Sequence, residues 1–257
     1  MPRSDFLWLL LLILMTGCPK TMRFHPTPHL TPEVVLQNLA KEGQRRYQVS
    51  GTFVAKSTGI KRLLGSVELD VVAKVPAFLH ISVRSFFNQP ARIFAANNEK
   101  MYLLEMLGTA EPNYVVQSIN SKVIEEILSL PLSPQEVVDV VLGIAPVQDA
   151  KVLDLKLSHT GEFYTARLQN KEGKMSEITA RVVDHVLMQR TQYDAAGKKI
   201  YEVVYREFCV VSGIDFSHRL DFEVNLKNKS HSVILKGESI RFNGELFEDA
   251  VFQIDPP

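Results

Sequence analysis

The chain reads as a mainly β protein built on one large, curved antiparallel sheet with a few short helices. Three observations predict this. Stretches in which apolar and polar residues alternate with a period of two recur over most of the 257 residues. The links between them are short and carry Gly, Asn, Asp, Ser or Pro, so successive strands run antiparallel. Helical spacing is confined to a few places, marked by capping residues or a glycine stop. About eleven or twelve strands result, and a single sheet of that size curls rather than staying flat.

The first element is a helix. Thr31-Pro32-Glu33 supplies an N-cap, a proline at the first helical position and an acid in the first turn; Val34, Val35, Leu36, Leu39 and Ala40 follow, and Gly43 ends it. From Tyr47 to Lys56 the residues alternate, with Tyr47, Val49, Phe53 and Ala55 on one face and Gln48, Ser50, Thr52 and Lys56 on the other. This is a half-buried strand. Runs at 63–73, 77–85, 91–97 and 100–107 repeat the pattern, separated by turn residues such as Ser57-Thr58-Gly59 and Asn97-Asn98.

Between 118 and 143 the period changes. Val123, Ile124, Ile127 and Leu128 have helical spacing, and a further helix opens at Ser133-Pro134-Gln135-Glu136, a capping box with proline at its first position. Val137, Val138, Val140, Val141 and Leu142 follow, and Gly143 stops it. Helices this apolar require a covering surface. Strands resume at 151–158, 163–170, 176–184, 186–194, 199–211, 216–227 and 231–241, with Asp194-Ala195-Ala196-Gly197 and Asn228-Lys229-Ser230 as hairpin links.

The N-terminal region has a different logic. Arg3 precedes an apolar run from Phe6 to Thr16 that ends in Met15-Thr16-Gly17-Cys18, the pattern of a bacterial lipoprotein signal and too short to span a bilayer as a helix. Residues 1–17 are the expected signal peptide, and Cys18 the acylated first residue of the mature chain. Residues 18–30, with Pro19, Pro26 and Pro28, read as a lipidated tether, and 31–257 as the folded domain. Each buried methylene contributes about 0.8 kcal/mol, so two or three acyl chains hold a protein stably on a membrane surface. Pro19 after the anchor leaves no acidic retention signal, which predicts the outer membrane, periplasm-facing. A formal net charge of zero argues against nucleic acid as a partner.

A curled sheet with one apolar face either closes over a packed core or encloses a greasy cavity. Core residues and lipid-contacting residues are alike in sequence. Alternation directs Phe53, Leu69, Ile81 and Val83 to the interior, and helical spacing adds Ile127, Val137 and Val141. These are the candidate lining of an acyl-chain cavity.

The segments Leu79-His80-Ile81-Ser82-Val83-Arg84-Ser85-Phe86-Phe87, Ala91-Arg92-Ile93-Phe94, Met101-Tyr102-Leu103-Leu104 and Leu130-Pro131-Leu132-Ser133-Pro134 through Val141-Leu142-Gly143 resemble, in order and spacing, the LolB family of outer-membrane lipoprotein receptors. The resemblance covers residues 33–147. It implies a half-open antiparallel β-barrel of about eleven strands under a helical lid. It also implies a monomer whose interior takes the acyl chains of a lipoprotein cargo from a LolA-like periplasmic carrier and releases them into the outer membrane. In that family a loop projects an apolar side chain needed for insertion; here Phe87 falls on its leucine and Phe86 on the neighbouring proline. The chain departs from the pattern by following the aromatic pair with Asn88-Gln89-Pro90, where the family has glycine.

Enzymatic signatures are missing from the sequence. It contains no Gly-x-Ser-x-Gly, Ser-x-x-Lys, His-Glu-x-x-His or phosphate-binding glycine loop. His159 and Glu162 flank Gly161 in an expected exposed turn, His185 sits at a strand junction, and prolines keep His25 and His29 off one helix. No cofactor and no metal is expected. Cys209, within Phe208-Cys209-Val210-Val211, reads as a small buried hydrophobe. The rival to cargo transfer is a non-catalytic lipid-binding or structural lipoprotein subunit of an envelope assembly.

Overall fold

The computed structural model describes residues 30–58, 66–84, 90–106, 112–119, 131–226, 229–244 and 247–255. Helix α1 (Pro32–Gln44) starts as its sequence predicts, with the Thr31 hydroxyl accepting from the Val34 amide at 3.4 Å. A first meander follows: β1 (Gln48–Thr58), β2 (Ser66–Lys74), β3 (Phe78–Arg84), β4 (Pro90–Ala96), β5 (Lys100–Glu105) and β6 (Asn113–Ser118). Helix α2 (Pro134–Leu142) leads to the second: β7 (Lys151–Leu157), β8 (Phe163–Gln169), β9 (Met175–Arg181), β10 (Leu187–Tyr193), β11 (Lys199–Val211), β12 (Ile214–Leu226) and β13 (Lys229–Phe242). A 3-10 turn at Asp249–Phe252 closes the described chain.

All thirteen strands form one antiparallel sheet in the order β6-β5-β4-β3-β2-β1-β13-β12-β11-β10-β9-β8-β7. Pairing of β1 with β13 joins the two meanders. The outermost strands, β6 and β7, do not pair with each other, so the curved sheet stays open instead of closing into a barrel. The described strands exceed the eleven or twelve expected because β6 has no alternation to read. As an edge strand it leaves the neighbouring Val115 and Val116 both exposed.

Residues opposite each other across a ladder share a face. Val71, Ile81 and Phe94 are successive partners across β2, β3 and β4, and Phe53 pairs with Leu69. In the second meander Arg190, Val203, Phe222, Val233 and Ser57 are successive partners from β10 through β13 to β1. These rows belong to the inner face, and α2 lies against β1, β2 and β3. The opposite face of the first meander is polar, with Arg84 bonded to Asp70 at 2.6 Å. The C-terminal segment straps part of that face: Phe252 packs on Phe78 at 5.2 Å, His80 Nδ1 meets the Val251 carbonyl at 2.9 Å, and the Tyr114 hydroxyl donates to the Ile254 carbonyl.

Cys209 is exposed rather than buried, which corrects the expectation from its apolar neighbours. The cause is local. Glu207, at φ 53°, lies opposite His218 between the pairs Arg206–Arg219 and Phe208–Ser217, with no change of register, and beyond it β11 pairs with β12 alone. The left-handed residue breaks the alternation of burial, and the strand runs past the edge of β10 as a two-stranded ribbon. Among the described residues no helix is long and apolar enough to cross a membrane.

Candidate functional site

The inner face beneath α2 is the best-organised candidate. Helix α2 begins in a complete capping box: the Ser133 hydroxyl accepts from the Glu136 amide at 3.2 Å, and the Glu136 carboxylate accepts from the Ser133 amide at 2.8 Å. Gly143 ends it in the left-handed conformation at φ 70°. Pro134, Val137, Val138, Val140, Val141 and Leu142 are all buried. Such a segment is apolar nearly all round because it lies between the sheet and other parts of the chain.

Two charged side chains interrupt this apolar contact. Asp139 projects from α2, and burial pushes its carboxyl up to about 6, against the opposing pull of Arg190. Arg190, on β10, is 2% exposed, and its guanidinium carbon lies 5.9 Å from the centre of the Tyr201 ring. Tyr201 and Tyr205, on β11, flank it at 1% and 2% exposure. Burial pushes the Tyr201 hydroxyl up to about 12 and that of Tyr205 higher, so both stay protonated.

Buried polar atoms in folded proteins are nearly always paired. Here Arg190 Nε and Nη1 and the hydroxyls of Tyr201 and Tyr205 are buried without a hydrogen-bond partner. No carboxylate among the described residues approaches Arg190 within ion-pair distance. Near the C-terminal end of α2, Arg46, Val141, Tyr205, Phe208, Phe216 and neighbours line a cavity of about 10 Å³, room for about one water. Chemically, the cluster is a fixed cation and two neutral hydroxyls in apolar surroundings. It can hold an anion.

Of the residues expected to line the interior, Phe53, Leu69, Ile81, Val137 and Val141 are buried in one apolar cluster, and Val83 is half-buried beside it. Ile127, Phe86, Phe87 and Cys18 lie outside the described residues, as do the signal peptide, the tether up to residue 29 and the helical spacing at 123–128. His159 and Glu162 are both exposed. His185, at φ 59° in the β9–β10 turn, shares a 3.1 Å hydrogen bond with the Tyr164 hydroxyl; burial lowers its pKa, opposed by Asp184 and Glu42. Among the described residues no group of three or more His, Cys, Asp or Glu is placed to hold a metal. Sequence reasoning missed Arg190, Tyr201, Tyr205 and Asp139. The one signal was Leu187-Met188-Gln189-Arg190-Thr191-Gln192, a strand whose polar residues do not alternate.

No protein-family model matches the chain, and no curated protein matches it in sequence. Solved structures do match in shape. A LolA superfamily protein from Nitrosomonas europaea superposes with a TM-score of 0.58 at 11% identity, covering 88% of this chain and 98% of the other. A candidate outer membrane lipoprotein-sorting protein domain from Vibrio parahaemolyticus gives 0.59 at 9% identity, covering 86% and 97%. A DUF1329 family protein from Desulfovibrio piger gives 0.58 at 13%, covering 86% and 97%. At such identities the likeness is one of fold: this chain has the open, curved antiparallel sheet of LolA/LolB-type proteins.

Proposed function

We propose that this chain is a lipid-anchored acyl-chain-binding protein of the outer membrane, which accepts lipoproteins from a LolA-like periplasmic carrier and inserts them in the bilayer. The observation that carries the reading is the inner face: an open sheet whose apolar rows pack in one cluster with α2, whose every apolar side chain is buried. A hydrocarbon guest and that helix offer the sheet the same kind of surface, so one can replace the other at small net cost. Support comes from the shared fold of the lipoprotein-sorting neighbours and from the lipobox ending at Cys18.

The action is binding rather than bond chemistry. Transfer in one direction needs an interior that holds acyl chains better than the donor does and less well than the membrane. Phe86 and Phe87 have the character of a membrane-touching pair, because aromatic side chains costly in water are favourable at a bilayer interface. The test is transfer of a triacylated lipoprotein from a loaded carrier to vesicles. The expected result is faster delivery with this chain present and slower delivery with a Phe87→Glu variant; delivery unchanged by adding the chain sinks the reading.

The second reading is a structural subunit of an envelope assembly, with a permanently packed interior. The small size of the cavity beside Arg46 favours it. Native mass spectrometry of the chain extracted from membranes separates the two: copurifying acylated material supports transfer, and a bare chain that takes up no acyl ligand supports the subunit.

A further inference from the structure

Arg190 is the feature of the interior that neither the apolar rows nor the capping of α2 explains. Its guanidinium carries a charge at every physiological pH, and moving an unpaired charge out of water is costly. Asp139 is the nearest candidate partner, yet it lies beyond ion-pair distance, and burial raises its carboxyl rather than Arg190 holding it ionised. The remaining groups facing the guanidinium are the hydroxyls of Tyr201 and Tyr205, which are neutral, and Glu136, which is committed to the capping box. The cluster therefore presents a buried cation with no paired anion.

We infer that Arg190, Tyr201 and Tyr205 form a binding site for a single carboxylate carried on a long hydrocarbon tail, that is, a fatty acid. One cation and two hydroxyls match one negative charge. Its setting supplies the tail: Arg190 has Ile178 as its partner on one side and Val203 on the other, and the row continues through Phe222 and Val233 to Ser57. From β10 to β1 that row crosses four strand spacings, about 19 Å, the length of an extended long-chain tail. The Ser57 hydroxyl at its far end is also buried without a partner. Val203, Phe222 and Val233 of the row are buried in the same apolar cluster as α2, so admission of a guest requires that packing to open. The inference rests on the acyl-binding reading and sharpens it, because acyl chains on a lipoprotein are neutral esters and amides with no charge for Arg190.

The test compares palmitate, methyl palmitate and a triacylated lipopeptide on the delipidated full-length chain, with affinities read by native mass spectrometry and calorimetry. The expected result is palmitate bound at least tenfold tighter than its methyl ester. Arg190→Met removes that difference, and Tyr205→Phe narrows it. Far-ultraviolet circular dichroism checks the fold of each variant. Where Arg190→Met fails to fold, the two ligands on the unaltered chain, with Tyr205→Phe, decide the matter. Equal binding of palmitate and its ester overturns the carboxylate site while leaving acyl binding in place; no binding of any acyl compound overturns both.

Discussion

Arg46 donates from Nη1 to the carbonyl of Leu142 at 3.1 Å, tying the chain segment after α1 to the C-terminal end of α2. The same guanidinium reaches the Glu42 carboxylate at 2.8 Å and the Asp215 carbonyl at 2.9 Å, so one buried side chain joins α1, α2 and β12. The carbonyl it covers is one of those a helix end leaves unpaired. Replacing Arg46 by leucine strands that carbonyl and leaves Glu42 with Arg45 as its partner, at 2.9 Å. The expected loss is about 1.5–3 kcal/mol in urea unfolding. Glu42→Gln keeps a hydrogen-bonding oxygen and loses about 1–2 kcal/mol. Near-equal stability of Arg46→Leu and the parent would remove this clamp from the account.

Asp139 sets a dependence on pH. Its carboxyl is raised by burial to about 6, so the folded chain favours the neutral acid. Its stabilising contribution is whole below the unfolded value of about 3.9 and is lost as pH rises through 6. Asp139→Asn removes the titration. The variant is expected to match the parent near pH 4 and to exceed it at pH 7.5 by up to about 3 kcal/mol, measured by thermal unfolding across that range. A gap that grows toward acid instead would contradict the sign.

At Gly51, β1 and β13 leave no room for a side chain. A Cβ there would collide with the Ser239 carbonyl oxygen, a backbone atom that cannot turn aside, next to the register shift between Thr52 and Phe53. Gly51→Ala is expected to destabilise by about 1–3 kcal/mol or more. Gly244→Ala meets no atom within 4 Å and serves as the control, with stability unchanged. Equal melting temperatures for the two variants would disprove the close contact.

The ribbon beyond Glu207 leaves Cys209 open to solvent. In a Cys18→Ser chain, Cys209 is the sole thiol, and a maleimide is expected to label it in the native state as fast as in urea. Exposure to reagent follows from exposure to water. Labelling that waits for unfolding would restore the buried assignment.

The strands were legible where one face is wet and the other dry. Residues 216–227 show it best, because the sheet buries Phe216, Leu220, Phe222 and Val224 and leaves the intervening residues polar. The helix caps were equally plain: Thr31, Ser133 with Glu136, and Gly143 do in space what their types do in peptides. Strand β6 was not legible, since an edge strand exposed on both sides has no period. Neither was the burial of Arg190. A charged residue in a strand reads as solvated unless its face is known, and the face depends on partners far along the chain: Val203, Phe222 and Val233.

Local chemistry, written in the sequence, determined that this chain would be mainly β, where its two capped helices begin and end, and which residues of most strands prefer to leave water. Tertiary structure alone decided that β1 pairs with β13, that β6 and β7 stay apart, and that Asp139 of α2 comes near Arg190. Those outcomes are set by pairings between residues up to 193 positions apart, such as Val49 with Phe242. Hydrophobic preference is a property of each residue, whereas the choice of neighbour belongs to the sheet as a whole.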